Sequence, residues 1–359
     1  MSVSEQFAKA FEILAEGVTA RAFAGFAARI DDHNDGGCAS DFGGGGHFTY
    51  EPESPAVTHE TIFDVASLTK VVATTAMAML LVDRGVLQPG THVAELLPGF
   101  AASDPRKRSI TMRMLLAHNS GLPGYVRLFE QAPSPEKLLQ AAIEMPLSHE
   151  PLTHAEYSDI GFIVLGAALE MIAGESIANF CEREVFAPLQ MSSTLFVPPE
   201  ALRPSIPPTE NDAAFRHRVI QGEVHDENAS VLGGIAGHAG LFSNVHDLSH
   251  FGGEMLRAWH GKSSMFTQPT VQLFTRRTGV PEDTSRALGW DTPSQPSQSG
   301  QYLSENSFGH LGFTGTSLWI DPERKLVVTL LTNRTWPDRS NQAIKQIRPR
   351  FHDAVIEDI

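Results

Sequence analysis

The sequence predicts an α/β (α+β) fold in which an antiparallel sheet is flanked by helices and carries an inserted, mostly helical lobe. Strand-like patterns occur near both ends of the chain, whereas the middle repeats apolar residues at helical spacing. The chain has 359 residues, of which 42% are hydrophobic, so it can bury the core of one large domain. We therefore predict a single domain, with a sheet part at residues 1–66 and 285–359 and a helical lobe at residues 67–284.

The first sheet part is predicted from short local patterns. Ser2 and Glu5 have the spacing of a capping box at the start of a helix. A strand is predicted over residues 22–30, and the glycine-rich residues 36–46 are predicted to form a hairpin loop that leads to a strand over residues 47–51. Because no Gly-Lys-Ser/Thr follows these glycines, a phosphate-binding loop is disfavoured.

Helices dominate the middle of the chain, and strands return after about residue 285. Apolar spacing and glycine caps predict helices over residues 68–84, 112–118, 135–145, 160–173, 177–186 and 245–260. Strands are predicted over residues 307–313, 317–321 and 326–332, followed by a closing helix over residues 342–356. This order predicts one sheet built from both chain ends, with the termini close together.

Composition narrows the classes of partner. The 27 basic and 42 acidic residues give a net charge of −15, so nucleic acids and anionic membrane surfaces are not expected partners. Two cysteines exclude a disulfide framework. The first residues lack a basic region followed by an apolar run, and the apolar stretch 71–82 is shorter than the ~20 residues of a membrane span. We therefore expect a cytoplasmic protein, unless a leader has been removed; the oligomeric state is left open.

The most informative motif is Ser67-Leu-Thr-Lys70, which opens a helix that is apolar on nearly every side. Residues at i and i+3 lie on one helix face, and a helix apolar all round is buried. The helix N-terminus and desolvation both disfavour the lysine ammonium, so the Lys70 amine becomes a base that can activate Ser67. The same spacing in Ser134-Pro-Glu-Lys137 predicts only an ordinary helix start, with an N-cap serine followed by proline.

Two further segments supply candidate partners for Ser67. Tyr157 precedes an apolar helix and could exchange a proton with Lys70, although the same segment also fits a helix start capped by Ser158 or Asp159. His310-Leu-Gly312 lies on a predicted strand that could supply an oxyanion donor. The similar His238-Ala-Gly240 lies in a glycine-rich loop and is better explained as a turn.

Together these motifs resemble the β-lactamase and penicillin-binding-protein family of serine hydrolases, in the branch of class C β-lactamases, D-alanyl carboxypeptidases and related esterases. The matching residues are Ser67-Leu-Thr-Lys70, Tyr157-Ser-Asp159 and His310-Leu-Gly312. The segments 115–123, 224–229, 233–243 and 309–322 are also similar, and 224–243 resembles muropeptide amidases and carboxypeptidase-like proteins of cell-wall turnover.

The resemblance implies a two-step acyl transfer to a small-molecule or peptide substrate. Ser67 would attack a carbonyl while Lys70 and Tyr157 handle the proton, and the N–H groups of Ser67 and Phe313 would hold the oxyanion. Gly312 and Thr314, which flank Phe313, are assigned with it to the oxyanion and substrate-binding region. No metal or organic cofactor is implied. The expected substrates are D-alanyl peptides or muropeptide fragments, and short acyl esters are the alternative.

Two positions depart from the usual family pattern. Asp159 stands where asparagine is more common, and a carboxylate beside Lys70 would favour the ammonium and oppose its role as a base. Asp159 would then face the substrate, or Tyr157 would be the main base. His310 stands where lysine is found in members that recognise β-lactams, and a neutral imidazole binds a carboxylate less firmly than an ammonium does.

Two rival functions are weaker. His246 and His250 have the i, i+4 spacing of metal ligands, but the aspartate between them replaces the usual glutamate and no third ligand is indicated. A non-catalytic binding protein would be expected to lack part of the set Ser67, Lys70 and Tyr157, and all three are present. The polar cluster at residues 225–228 fits either a cleft lining or a hydrogen-bonded loop.

Overall fold

The fold, seen in a computed structural model that describes residues 4–34 and 37–359, is built around a five-stranded antiparallel sheet. The strands are β1 (Gly25–Asp32), β2 (Ala39–Gly46), β3 (Phe63–Asp64), β4 (Leu195–Phe196), β5 (Pro208–Asp212), β6 (Arg218–Gln221), β7 (Leu241–Ser243), β8 (Phe308–Leu311), β9 (Ser317–Asp321) and β10 (Leu326–Thr332). The main sheet has the order β2-β1-β10-β9-β8, so strands from both chain ends pair within it. Smaller sheets join β3, β7 and β4, and β5 with β6.

Helices cover both faces of the main sheet. They are α1 (Ala8–Thr19), α2 (Ala76–Asp83), α3 (Val93–Leu96), α4 (Met112–Leu116), α5 (Pro135–Glu144), α6 (Asp159–Ala173), α7 (Ile177–Cys181), α8 (Glu227–Val231), α9 (Val245–Trp259), α10 (Gln268–Thr275) and α11 (Ile344–Glu357). Alternate residues of β10 divide between two cores: Leu326, Val328 and Leu330 pack with α1 and α11, whereas Val327 and Leu331 belong to the core that contains α2, α6 and α9. The predicted fold class is confirmed.

The glycine-rich segment is the main error of the secondary-structure prediction. Residues 39–46 form strand β2, which pairs with β1 along its whole length, and no strand follows over residues 47–51. The glycines are required by close packing: a Cβ on Gly44 would lie 2.7 Å from the backbone of Thr58, and one on Gly45 would lie 2.7 Å from the Phe26 ring. Of the predicted capping box, Ser2 lies outside the described residues, and the first helix begins at Ala8.

The helical segment that contains Ser67 in its first turn is continuous but irregular. A single 3-10 turn at Ala66–Leu68 leads into a π-helical segment at Lys70–Thr75 and then into α2. By length and composition the stretch Ala66–Asp83 could cross a membrane, but it is buried in the core and its side chains are covered by other helices. Burial of this segment places the turn that contains Ser67 against β7 and β8.

Candidate active site

The turn that presents Ser67 is held by a buried carboxylate. Asp64, at the end of β3, accepts hydrogen bonds from the backbone N–H of Ala66 (2.8 Å) and of His225 (2.7 Å). Ala66 has a φ of +48°, in the left-handed region that a residue with a side chain adopts at an energetic cost. Burial raises the pKa of Asp64, and the hydrogen bonds from the two N–H groups oppose that rise. Asp64 therefore ties the strained nucleophile turn to the loop that carries His225.

Lys70 makes three polar contacts through one nitrogen. Its Nζ lies 3.0 Å from Ser67 Oγ, 2.6 Å from Asp159 Oδ1 and 3.1 Å from the carbonyl oxygen of His238. The side chain is fully buried. Burial is the largest influence and lowers the pKa of Lys70, but the charge of Asp159, together with Tyr157, outweighs it, so that the pKa is raised. The resting site therefore holds a Lys70 ammonium beside the Ser67 hydroxyl.

Tyr157 lies immediately before α6, over the Lys70 ammonium. Its ring centroid is 4.7 Å from Lys70 Nζ. Burial raises the pKa of the Tyr157 phenol, while the Lys70 charge acts in the opposite direction. The Ser158 side chain caps α6 by accepting from the Gly161 N–H at 2.8 Å, so the segment serves both as a helix start and as a wall of the site.

His118, which the sequence analysis did not single out, fixes this wall. Its Nδ1 accepts a hydrogen bond from the Ser158 N–H at 2.9 Å, and its ring stacks on Phe162 and lies tilted against the Tyr157 ring. Burial lowers the pKa of His118 well below its ordinary value, and the nearby charges of Arg286 and Lys70 lower it further. The ring is therefore neutral, which matches its role as an acceptor.

The turn between β8 and β9 approaches Ser67 from the opposite side. The Gly312 N–H donates to the Thr316 carbonyl at 2.8 Å, while the Thr314 hydroxyl donates to the Asp64 carbonyl at 2.8 Å and the Thr316 hydroxyl to the Val65 carbonyl at 3.0 Å. Among the described backbone groups, none accepts from the Phe313 N–H. These contacts fasten the predicted oxyanion segment directly to the nucleophile turn and leave the Phe313 amide free to bind a ligand oxygen.

His310 is held in its neutral form. Burial lowers its pKa well below the ordinary value, and the charges of Lys70 and Arg286 add to this effect. Its Nδ1 lies 2.8 Å from the Leu311 carbonyl, and its ring is 5.7 Å from that of Tyr157. The imidazole therefore supplies no positive charge to the site, as expected from the sequence.

All eight predicted site residues are brought together around one cleft of about 580 Å³, although Lys70 and Thr314 lie just behind its wall. Ser67 and Tyr157 are among the residues that line it. Phe313, whose side chain is about half exposed, stacks on His225 and lies under the Arg334 guanidinium.

The far wall of the cleft contains a charge network that sequence reasoning only partly found. Arg339 Nε donates to both Glu210 oxygens (2.7 and 2.9 Å), and its NH2 group donates to Glu227 at 2.8 Å. His225 contacts the same Glu210 at 3.0 Å. The polar cluster 225–228, for which the sequence left open a cleft lining or a hydrogen-bonded loop, is both. Arg339 and Glu210 come from segments without a recognisable motif.

The second Ser-x-x-Lys sequence, the second His-x-Gly sequence and the histidine pair at 246 and 250 have other roles in the structure. Ser134 caps α5 by accepting from the Lys137 N–H, as predicted for an ordinary helix start. His238-Ala-Gly240 lies in a loop, as predicted, and this loop also contributes to the site: the His238 carbonyl accepts a hydrogen bond from Lys70, and the His238 ring contacts Asp226 at 2.8 Å. His246 faces Arg29 at 2.6 Å and His59 at 2.7 Å, which gives its two ring nitrogens polar partners. In the described part of the chain, no three His, Cys, Asp or Glu side chains are grouped as metal ligands.

Comparison with known protein sequences points to one family. Residues 28–348 match the family model described as Beta-lactamase. An N-acetylmuramyl-L-alanine amidase of Bacillus subtilis is 35% identical over 305 residues, which is 76% of this chain and 68% of that protein. A putative D-alanyl-D-alanine carboxypeptidase of Escherichia coli K12 is 32% identical, over 77% of this chain and 70% of that protein.

Solved structures share the fold at lower sequence identity. EstCE1, described as a hydrolase with promiscuous acyltransferase activity, superimposes with a TM-score of 0.78 at 20% identity, over 98% of this chain and 99% of that chain. A class C β-lactamase from Rhodobacter sphaeroides superimposes with a TM-score of 0.72 at 20% identity, over 99% of both chains. At such identities the likeness concerns the fold alone.

Proposed function

Because the chain belongs to the β-lactamase family and is a serine hydrolase of that family, we propose that it cleaves amide bonds of D-alanyl peptides or muropeptide fragments through an acyl-enzyme on Ser67. The observation that carries this proposal is the 3.0 Å contact between Ser67 Oγ and Lys70 Nζ at the wall of the cleft. The choice of amide substrates rests on the relatives, which are named as an amidase and a carboxypeptidase.

The proposed reaction has two acyl-transfer steps. Ser67 Oγ forms a bond to the substrate carbonyl carbon while its proton passes to the Lys70–Tyr157 side of the site, and the carbonyl electrons move to an oxygen held by the N–H groups of Ser67 and Phe313. The carbon–nitrogen bond then breaks as the leaving nitrogen receives a proton from Tyr157. Water attacks the resulting ester in the second step and releases Ser67.

A carboxylesterase for short acyl esters is the second candidate, and the neutral state of His310 favours it. The pKa of His310 is lowered well below its ordinary value, so this position does not provide the cation that would bind a substrate carboxylate. Esters also have better leaving groups than amides and require less assistance from Tyr157.

Covalent labelling of Ser67 tests the acyl-enzyme. We expect a fluorophosphonate, benzylpenicillin or a p-nitrophenyl ester to leave an adduct on the peptide that contains Ser67, and Ser67→Ala to lose both the adduct and hydrolysis. Ser134→Ala is the matched control, because Ser134 opens the second Ser-x-x-Lys sequence but only caps α5. Peptide mass spectrometry locates the adduct. Hydrolysis that survives Ser67→Ala would contradict the proposal.

A substrate panel then separates the two candidate functions. If the protein is an amidase or carboxypeptidase, it releases L-alanyl peptides or D-alanine from muropeptides at a higher kcat/KM than it shows for alkyl esters of similar size. If it hydrolyses only the esters, the carboxylesterase assignment replaces the amide one while the acyl-enzyme on Ser67 stands. Activated p-nitrophenyl esters do not belong in this comparison, because a nucleophilic serine cleaves them in either case.

A further inference from the structure

The hydrogen-bonding capacity of Lys70 is fully used. An ammonium has three N–H donors, and Lys70 Nζ has three acceptors within 3.1 Å: Ser67 Oγ, Asp159 Oδ1 and the His238 carbonyl. In this arrangement the nitrogen has no lone pair to offer the Ser67 hydroxyl. Lys70 can therefore take the Ser67 proton only if it passes one of its own to a neighbour.

The shortest of the three contacts identifies that neighbour. Asp159 Oδ1 is 2.6 Å from Lys70 Nζ, a distance typical of a strong charge-assisted hydrogen bond. The His238 carbonyl is the third acceptor and cannot be protonated at ordinary pH. Asp159 follows Tyr157 by two residues at the start of α6, and its position is fixed because its own N–H donates to the Gly124 carbonyl at 2.7 Å.

The other ionisable groups around the pair come from several segments and do not compete for the proton. His118, after α4, and His310, on β8, have pKa values held well below the ordinary value by burial. Arg286, before β8, is a cation. Tyr157 and Tyr125 are phenols whose pKa values are raised by burial.

We propose that Asp159 accepts the proton during the attack of Ser67, receiving one from Lys70 as Lys70 takes the hydroxyl proton of Ser67, and that it returns this proton when the leaving group departs. This inference rests on the proposed acyl-enzyme function. It replaces both alternatives drawn from the sequence, in which Asp159 faces the substrate or leaves Tyr157 as the main base.

The protons of the proposed relay balance over one acylation. The Ser67 O–H bond breaks and its proton binds Lys70, one Lys70 N–H proton binds Asp159 Oδ1, and the Ser67 oxygen forms its bond to the carbonyl carbon. When the leaving group departs, Tyr157 gives it a proton, Lys70 restores the proton of Tyr157, and Asp159 returns its proton to Lys70. The site ends with an acylated Ser67 and its original charges.

Burial makes the transfer from Lys70 to Asp159 feasible. The Lys70 side chain is fully buried and that of Asp159 is 18% exposed. Low polarity disfavours a separated pair of charges, and a proton transfer converts the ion pair to a neutral amine and a neutral acid. The desolvation that opposes the Lys70 ammonium at rest therefore helps to form the reactive amine during acylation.

The pH dependence of Ser67 labelling tests the relay in the unaltered protein. The second-order rate of fluorophosphonate labelling, measured by intact mass between pH 6 and 9, is expected to be nearly constant, because the ion pair is already the working state. If a free Lys70 amine or a Tyr157 phenolate had to form first, the rate would climb about tenfold per pH unit across this range. Such a climb would overturn the relay but not the acyl-enzyme, whereas an unlabelled Ser67 at every pH would overturn the acyl-enzyme itself.

Asp159→Asn provides the second test. This substitution keeps the shape of the side chain but removes the acceptor, so we expect at least a tenfold slower labelling at pH 7 and a rate that now rises with pH. Glu156→Gln is the matched control, because it removes one carboxylate three residues away that contacts the Gly124 N–H and not Lys70. Its profile is expected to stay flat. A variant Asp159→Asn that labels as fast as the unaltered protein at pH 7 would refute the relay. The thermal unfolding midpoint shows whether Asp159→Asn is folded. If it is not folded, the pH profile of Ser67 labelling in the unaltered protein decides whether the relay operates.

Discussion

Gly312 lies at the closest approach between the turn after β8 and the nucleophile turn. A Cβ at this position would overlap the Thr316 hydroxyl and lie 2.5 Å from the Val65 carbonyl, which is a backbone atom and cannot move alone. We expect Gly312→Ala to push the Phe313 amide away from Ser67 and to slow labelling by about 10² to 10³-fold, the usual cost of losing one oxyanion donor.

The comparison variant for this prediction is Thr316→Ala, which removes the hydroxyl that donates to Val65 but adds no bulk. It should lose much less activity than Gly312→Ala when labelling of both is measured at equal folded fraction. Equal losses of labelling rate in the two variants would mean that the Thr316 hydrogen bond, rather than the position of the Phe313 amide, determines the reactivity of Ser67.

At the scale of residues, spacing alone finds partners that are local, whereas distant ones were reached through the family resemblance, as for Asp159, or not at all, as for the His238 carbonyl. Ser67 and Lys70 were found because they are three positions apart on one helical turn. Their remaining partners are distant: Asp159 is 89 positions from Lys70, and the His238 carbonyl is 168 positions away. Every residue has a backbone carbonyl, so the residue type at position 238 does not indicate that its carbonyl contacts Lys70. The His238 loop could therefore only be predicted as a turn.

Among the secondary-structure elements, β2 shows why glycine content alone misled the prediction. Its glycines lie in a paired strand because their neighbours leave no room for a Cβ. By contrast, the residue ranges of β9 and β10 were predicted correctly, because their apolar runs are long and their partners bury both faces. The six helices predicted in the middle segment were located to within a few residues, because their apolar spacing is long or their caps are recognisable, whereas α3, α8 and α10 were not predicted.

Gly44→Ala tests the packing of β2. The new Cβ would lie 2.7 to 2.9 Å from backbone atoms of Val57 and Thr58, so we expect the free energy of unfolding to fall by about 1 to 3 kcal/mol, the range for overpacking. Gly90→Ala is the control, because a Cβ there meets no atom within 4 Å. Urea unfolding of both variants measures the difference. If Gly44→Ala lowers the free energy of unfolding no more than Gly90→Ala does, then β2 is not packed in this way.

Over the whole molecule, buried histidines should govern stability in mild acid. His118, His310 and His352 are buried and have pKa values below the ordinary value, chiefly because of desolvation; for His352, burial and then the Arg348 charge lower the pKa to about 3. An unfolded histidine binds a proton near pH 6.5. Below that pH the unfolded chain therefore binds protons that the native protein does not, and stability is lost as the pH falls from about 6.5 towards 3. Asp64 opposes this trend because burial raises its pKa.

His352→Gln measures the contribution of one of these histidines far from the cleft. His352 lies on α11 with its Nε2 3.1 Å from the Ser317 hydroxyl, a contact that a glutamine amide can replace. Since one proton fewer is then taken up on unfolding, the slope of stability against pH between 6 and 4 should decrease by about 1.4 kcal/mol per pH unit. The exposed His92, changed to Gln, controls for the loss of a histidine at the surface, and thermal or urea unfolding at several pH values gives all three slopes. An unchanged slope for His352→Gln would mean that the native protein protonates His352 in this range, and the core formed by α1, α11 and the sheet would then be open to water at that position.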